Sequence, residues 1–377
     1  MLGKIKVGII TFHNTSNYGA ALQAYATFSA LKEQGYDAEI IDYSNKYRDK
    51  KYSILYRITD QLTAGNLLQA IKTMVASPGI YGRNFQFKSF YRQFYKVSKN
   101  KYRNSPQPVI DAKDYDVVIA GSDQIWSYKN NNYDYNFLLE FVPNNIRKIS
   151  YASSFGLTEI PDQLKHKYKT LLSRMDFISV RERTGVDIVS DLIGKTPYLA
   201  IDPVLLHSRK FWSNMASKIK FKPQSYDLYY MNDNSYRNHP IFANDMNISK
   251  FPKVSIGSFK MSDFINITTH IRNHTGPNSF LSYIMNARVV YTTSFHALVF
   301  CLIFNVQFYV FLSGDKGRDS RLLQILTTFN LVDRAIVKDK ANELINKSID
   351  FTNFNNRWPL MREECKQFLK NAINEQT

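Results

Sequence analysis

The chain has 377 residues, 44% of them hydrophobic, and a formal net charge of +17. At roughly 150 residues per domain this length predicts two globular domains, and the apolar content excludes a disordered chain. Its two cysteines come without a CxxC pattern or a Cys–His cluster, which excludes a disulfide framework and a structural zinc site and suits a reducing compartment.

Met1–Lys6 lead directly into the strand-like Val7–Phe12, without the basic, apolar and small-residue series of a signal peptide. No apolar run is long enough to span a bilayer, so a cytoplasmic location is expected. The loop Asn14–Gly19 precedes a predicted helix from Ala20 to Gln34, which Gly35 is placed to end. A strand is predicted at Glu39–Asp42.

The next stretch, 43–108, carries thirteen Lys and Arg against Asp49 and Asp60, a net +11. Its spacing Phe87, Phe90, Tyr91, Phe94 marks one apolar helical face. Three readings stay open for this basic aromatic segment: a surface helix with its aromatics in the core, a helix drawn to an anionic membrane, or a nucleic-acid patch. No RNP, zinc-finger or helix-turn-helix signature supports the last, and nucleic acid is not an expected partner.

Further strands are predicted at Val117–Ala120, Lys148–Ala152 and Phe177–Val180. The rhythm weakens from Thr196 to Lys222, where Asp202-Pro203 breaks any helix. It restarts with strands at Asp227–Met231, Lys253–Ile256, Arg288–Thr292 and Gln307–Phe311, and helices at Asn278–Asn286, Phe295–Phe304 and Arg321–Phe329. This alternation predicts an α/β fold of two Rossmann-like domains facing across a cleft. The expected divisions are 1–195, containing the 43–108 insertion, 196–345, and a helical tail 346–377 packing back toward the first domain.

Thr292–Val299 places His296 where an apolar strand gives way to a helix. Such a side chain sits at the carboxyl end of a parallel sheet, beside helix N–H groups that suit an anion. A capping turn with a satisfied histidine is the competing reading. Gly121-Ser122-Asp123 follows another apolar strand and either makes a tight turn or holds sugar hydroxyls through Asp123. Asn14–Gly19 can bring backbone N–H groups close to a phosphate or sugar, but lacks the spacing of a GxGxxG or P-loop motif. No acidic pair or DxD element calls for a metal, and none is expected.

Several segments together resemble the polysaccharide pyruvyl transferase family: Asn17–Tyr25, Asp116–Trp126, Tyr151–Gly156, Ser179–Glu182, Asp202–Leu206, and Gly276-Pro277 leading to Ser294-Phe295-His296. The resemblance implies a GT-B-type architecture, with the first domain on the acceptor side and the second on the donor side. It implies transfer of the enolpyruvyl unit of phosphoenolpyruvate to a sugar, giving a cyclic pyruvate ketal in exopolysaccharide or other cell-surface polysaccharide biosynthesis. Phosphoenolpyruvate is then a co-substrate and no cofactor is expected.

On that reading His296 becomes the leading general acid/base, because imidazole exchanges protons near neutral pH. His13, His207, His239, His270 and His274 lie in no comparable motif. The donor's carboxylate and phosphate call for arginine. Arg181, which follows the strand Phe177–Val180, is the first choice and is also assigned a catalytic part; Ser294, His296, Arg318 and Arg321 complete the expected donor site. Asn17, Tyr18, Gly19, Ser122 and Asp123 are the expected acceptor contacts. Two departures from the family pattern are visible. Ala297 stands where the family usually has glycine, and Ser294 where some members have arginine, so Arg318 or Arg321 would supply the missing guanidinium. Expected partners are phosphoenolpyruvate, a sugar or lipid-linked oligosaccharide, and an anionic membrane surface contacted peripherally. The alternatives are a GT-B glycosyltransferase with a nucleotide-sugar donor and a non-catalytic carbohydrate-binding protein.

Overall fold

The computed structural model describes residues 4–103, 114–217, 225–231, 251–256, 269–272, 274–336 and 348–375. His239 and the side chains of His270 and Arg318 lie outside this description. The chain begins with β1 (Lys6–Ile10), α1 (Tyr18–Glu33), β2 (Asp37–Ser44), α2 (Lys46–Tyr52), α3 (Ile54–Thr63), α4 (Leu67–Phe94) and β3 (Val97–Arg103). Next come β4 (Val117–Ala120), α5 (Tyr128–Asn131), β5 (Arg147–Ser150), α6 (Asp162–Leu172), β6 (Ser179–Val180), α7 (Arg183–Ile193) and β7 (Tyr198–Leu199). They are followed by α8 (Arg209–Met215), β8 (Asp227–Tyr230), β9 (Lys253–Ile256), β10 (Thr269–Arg272), α9 (Pro277–Met285) and β11 (Val289–Thr292). The last elements are α10 (Phe295–Phe304), β12 (Gln307–Phe311), α11 (Lys316–Thr328), β13 (Ala335–Ile336) and α12 (Thr352–Asn374).

These elements form two compact units. Unit 1 comprises Met1–Tyr52, Tyr91–His207 and Trp358–Thr377; unit 2 comprises Ser53–Phe90 and Ser208–Arg357. Unit 1 is built on a parallel sheet in the order β3-β2-β1-β4-β5. A parallel sheet needs cover on both faces, and the sequence supplies it. One face packs Ile10, Val118 and Ala120 against Tyr168 and Leu171 of α6 and Ile188 and Val189 of α7. The other packs Val7, Ile9 and Ile119 against Ala24 and Leu31 of α1 and Cys365, Leu369 and Ile373 of α12. The C-terminal helix is tied to unit 1 by Trp358 Nε1 donating to the Leu205 carbonyl at 2.7 Å, and by Phe368 stacked on Tyr198 with centroids 4.4 Å apart.

Local signals set the element ends. The Asn17 side chain caps α1 by accepting from the Ala20 N–H at 3.1 Å. Gly35, at φ +94°, turns the chain out of that helix into β2, a conformation glycine adopts without steric cost.

Unit 2 carries a second parallel sheet, ordered β10-β9-β8-β11-β12-β13. Strand progression reverses between β8 and β11, as it does between β1 and β4 in unit 1. Connections leave in opposite directions at such a point, so the carboxyl ends of these strands are where ligands bind in this class of sheet.

The division differs from the sequence expectation in three respects, the first being that unit 2 runs on to Arg357, past the expected 345, so only Trp358–Thr377 of the tail belongs to unit 1. The chain passes between units after His207 rather than at 195, because Asp202 caps the turn Pro203–Leu206 and Leu206 is buried in the unit 1 core. Residues 53–90, expected in the first domain, belong to unit 2. The reason is close packing of α4: a Cβ on Gly82 would lie 3.2 Å from that of His274, and one on Gly276 would lie 2.8 Å from Gln86 Cβ.

Candidate functional site

In unit 2 the chain leaves β11 through Thr293-Ser294 and enters α10, whose first turn carries His296. Thr292 Oγ1 donates to the Tyr230 carbonyl at 2.7 Å, joining β11 to β8 at the reversal of strand order, and accepts the Ser294 N–H at 3.0 Å. Ser294 caps α10, its hydroxyl accepting the Ala297 N–H at 3.4 Å. The Ser294 side chain is therefore engaged as a helix cap. His296 is 8% exposed, and its ring meets Phe295 edge-on at 5.4 Å. Ala297 follows it in the same turn and is buried.

The helix has 10 residues and ends at Asn305 in the left-handed conformation, so its macrodipole places positive potential beside His296. Arg321, on α11, lies with its guanidinium carbon 5.8 Å from the Phe295 ring centroid, which brings a cation to the start of α10. The loop before α11 is held by Asp319, whose carboxylate accepts the N–H groups of Ser313 and Gly314 at 2.9 and 2.7 Å. Asp319 escaped notice in the sequence, although the series Ser313-Gly314-Asp315 ahead of a helical acid is a turn signal.

In unit 1 the carboxyl ends of β1, β4 and β5 meet tightly. A Cβ on Gly121 would sit 3.0 Å from Thr11 Cβ, so glycine permits this approach. Thr11 Oγ1 donates to the Ser122 carbonyl at 3.0 Å and accepts Gln23 Nε2 at 2.8 Å. Ser122 is buried and its hydroxyl donates to the Ala152 carbonyl at 2.9 Å. Asp123 follows at φ +78° and Ala152 lies at +48°, conformations that cost non-glycine residues energy and that tight packing here sustains.

Arg181 stands at the end of β6 as expected, but is 4% exposed and surrounded by carboxylates. Its guanidinium lies 2.5 Å from Asp202 Oδ2, 3.7 Å from Asp123 Oδ1 and 4.0 Å from Glu182 Oε2. Burial opposes its charge, but the three acids outweigh that penalty and hold the guanidinium protonated. Glu182 in turn accepts the Ser154 hydroxyl at 2.8 Å and the Phe155 N–H at 3.1 Å, fixing the loop after β5. This constellation unites residues far apart in sequence. Among the described residues no group of three or more His, Cys, Asp or Glu side chains could hold a metal ion.

The remaining expected contacts divide by burial. Tyr18 and Gly19 are buried in the first turn of α1, and Asn17 is engaged as its cap. Asp123 keeps partial exposure and accepts the Gln124 N–H at 2.8 Å. His13, beside the same strand ends, has Nδ1 3.2 Å from the Thr11 carbonyl and Nε2 3.4 Å from Asp42. The hydrogen bond from His13 holds Asp42 below the usual carboxylate range. His207 bonds the Ala26 carbonyl at 2.9 Å and is buried. Thus His296, Ser294 and Arg321 gather in unit 2, while Asp123, Ser122 and Arg181 gather in unit 1.

Solved structures with the same architecture include a putative UDP-N-acetylglucosamine 2-epimerase from Listeria monocytogenes, at 10% identity and a TM-score of 0.55, covering 100% of this chain and 98% of that one. UDP-GlcNAc 2-epimerase from Methanocaldococcus jannaschii is similar at 10% identity and 0.51, with coverage of 98% and 100%. Arabidopsis thaliana UGT89C1 complexed with UDP-L-rhamnose is similar at 8% identity and 0.51, with coverage of 98% and 99%. At such identities the likeness concerns the fold alone, which is mixed α/β with parallel sheets in two Rossmann-like domains of GT-B type. No curated protein matches the sequence significantly. The family profile described as polysaccharide pyruvyl transferase matches residues 17–315, from the cap of α1 to the loop after β12. The chain therefore belongs to the polysaccharide pyruvyl transferase family.

Proposed function

We propose that this protein uses phosphoenolpyruvate to build a cyclic pyruvate ketal on a sugar of a cell-surface polysaccharide or its lipid-linked precursor, with His296 as general acid/base. The observation that carries the reading is the position of His296: first turn of a capped helix, at the carboxyl end of β11, where strand order reverses. Phosphoenolpyruvate is protonated at C3 as one sugar hydroxyl bonds to C2, and that hydroxyl's proton balances the one taken up. The C2–O bond to phosphate then breaks, a second hydroxyl bonds to C2, and its proton leaves with inorganic phosphate. A histidine suits these alternating transfers.

Arg321, with the α10 N-terminus, is the proposed receptor for donor anion, and Arg318 on the same helix is its companion. Arg181 receives a positioning part rather than the donor contact expected from sequence, since a donor would have to displace Asp202 from a buried ion pair. Asp123 is the proposed contact to an acceptor hydroxyl, with Asn17, Tyr18, Gly19 and Ser122 shaping the strand ends beside it. The basic segment 43–108 suits a protein that works beside an anionic membrane while remaining peripheral to it.

The test is mass spectrometry of lipid-linked oligosaccharides incubated with phosphoenolpyruvate and the protein. A mass gain of one pyruvate less one water, lost with His296→Gln, is expected. Transfer of a hexose from a nucleotide sugar in its place would select the glycosyltransferase reading.

A further inference from the structure

In unit 1 the chain leaves α5 through two consecutive non-glycine residues in the left-handed region, Asn132 at φ +55° and Tyr133 at φ +61°. A bulky aromatic residue seldom adopts this conformation, which persists only where the surrounding structure enforces it. Enforcement here is polar and buried. Asn131 Nδ2 donates to the Ile125 carbonyl at 2.8 Å, and Asn131 Oδ1 accepts the Asp134 N–H at 3.3 Å. Asp134 Oδ2 accepts from the Tyr43 hydroxyl and from Asn45 Nδ2, both at 2.6 Å. Tyr43, Asn45, Asn131 and Asp134 are all buried, yet Tyr133, seated among them in sequence, is 52% exposed. Its ring stacks on that of Tyr128, with centroids 5.5 Å apart and planes inclined by 30°. With one face on Tyr128 and much of its surface in solvent, the ring presents its other face outward. Asn130 Nδ2 donates to Gln124 Oε1 at 2.9 Å, tying this loop to the residue after Asp123, the proposed acceptor contact.

We propose that Tyr133, backed by Tyr128, is a stacking platform for a pyranose ring of the acceptor saccharide, a choice of ligand that rests on the transferase reading. One face of a hexopyranose carries axial C–H groups whose partial positive charge meets the negative face of an aromatic ring. Its rim of hydroxyls pairs with amides and carboxylates. Asn130 Oδ1 and Gln124 Nε2, the parts of these amides outside their mutual bond, and the Asp123 carboxylate supply such groups in the same loop. A strained backbone that holds a tyrosine out in solvent gains no burial from it, whereas a fixed ring loses little freedom when a sugar settles on it. A nucleobase also stacks on aromatic rings and is the competitor that the test separates.

Saturation-transfer NMR of the full chain with the methyl glycosides of glucose, galactose and mannose, and separately with adenosine, requires no phosphoenolpyruvate. Its failure is therefore distinct from failure of the transferase reading. Wild type should transfer magnetisation to the glycosides, most strongly to the axial H3 and H5 protons that share one face of each ring. Tyr133→Phe keeps the ring and should match wild type. Tyr133→Gly suits the left-handed backbone, should hold the wild-type Tm, and should bind the glycosides about tenfold more weakly. In pyruvyl transfer the same variant should raise KM for the oligosaccharide and leave KM for phosphoenolpyruvate unchanged. Absence of transfer from wild type to all three glycosides, transfer to adenosine in their place, or undiminished glycoside binding by Tyr133→Gly would overturn the inference. A Tm of Tyr133→Gly well below that of wild type would mark the ring as structural and overturn it equally.

Discussion

Replacing Arg181 by alanine distinguishes a positioning residue from a donor receptor. The guanidinium is buried and paired to Asp202 at 2.5 Å, with Asp123 and Glu182 at 3.7 and 4.0 Å. Removing it strands a cluster of acids in unit 1, and breaking a buried pair from one side costs about 3–5 kcal/mol. That is a large fraction of the roughly 5–15 kcal/mol that holds a domain folded. Asp202→Asn added to Arg181→Ala should recover part of the loss, because the stranded charge nearest the gap disappears.

A two-unit chain does not license one unfolding free energy, so native-state hydrogen exchange is the suitable assay. Peptides covering Val117–Trp126 and Ser150–Gly156 should open more readily in Arg181→Ala. Peptides covering Val289–Phe311 in unit 2 should retain their protection. Protection in unit 1 within about 1 kcal/mol of wild type, together with lost phosphoenolpyruvate binding, would refute the positioning role and restore Arg181 to the donor site.

Leu369→Ala, which empties a buried position between α12 and the unit 1 sheet, should destabilise that unit by about 2–5 kcal/mol, measured by the same exchange experiment. Asp42 has a folded pKa below its unfolded value, so its contribution is present above the unfolded pKa of about 4 and is lost as pH falls through the folded pKa. Asp42→Asn should therefore destabilise at pH 6 and approach wild type in strong acid, as read from unfolding midpoints. Burial pushes the Cys301 and Cys365 thiols upward, so iodoacetamide at neutral pH should modify both only after unfolding, as followed by peptide mass mapping. Gly156→Ala places a methyl group 2.1 Å from Gln124 Nε2 at φ +59°; a Tm decrease partly recovered by Gln124→Ala is expected.

Much of the fold was legible because strong local signals agreed with tertiary demands. β4, β9, β12 and α10 begin and end where the apolar runs and the caps Ser294 and Asn305 place them. β3, by contrast, is the polar, lysine-rich edge strand Val97–Arg103, without the alternation that identifies a half-buried strand. β7 is a two-residue strand, too short to leave a periodic signal, and β6 keeps only Ser179–Val180 of the strand expected at Phe177–Val180. In the candidate site, His296 was legible because its strand, cap and helix are contiguous. The surroundings of Arg181 were not, since Asp123 and Asp202 approach it only through the fold. The inward aromatic face of α4 could be read from its spacing. The outward aliphatic face has the same period, and sequence alone does not say which side the core takes.

The most direct measurement of the donor assignment is a thermal-shift titration of wild type with phosphoenolpyruvate, alongside UDP and a UDP-sugar, repeated with Arg321→Ala. A ligand that binds only the native state raises Tm, by about 2.7 kcal/mol of stabilisation at a hundredfold excess over Kd. Phosphoenolpyruvate should raise Tm, Arg321→Ala should diminish that rise, and the uridine ligands should leave Tm unchanged. Stabilisation by the uridine ligands without any response to phosphoenolpyruvate would contradict the account.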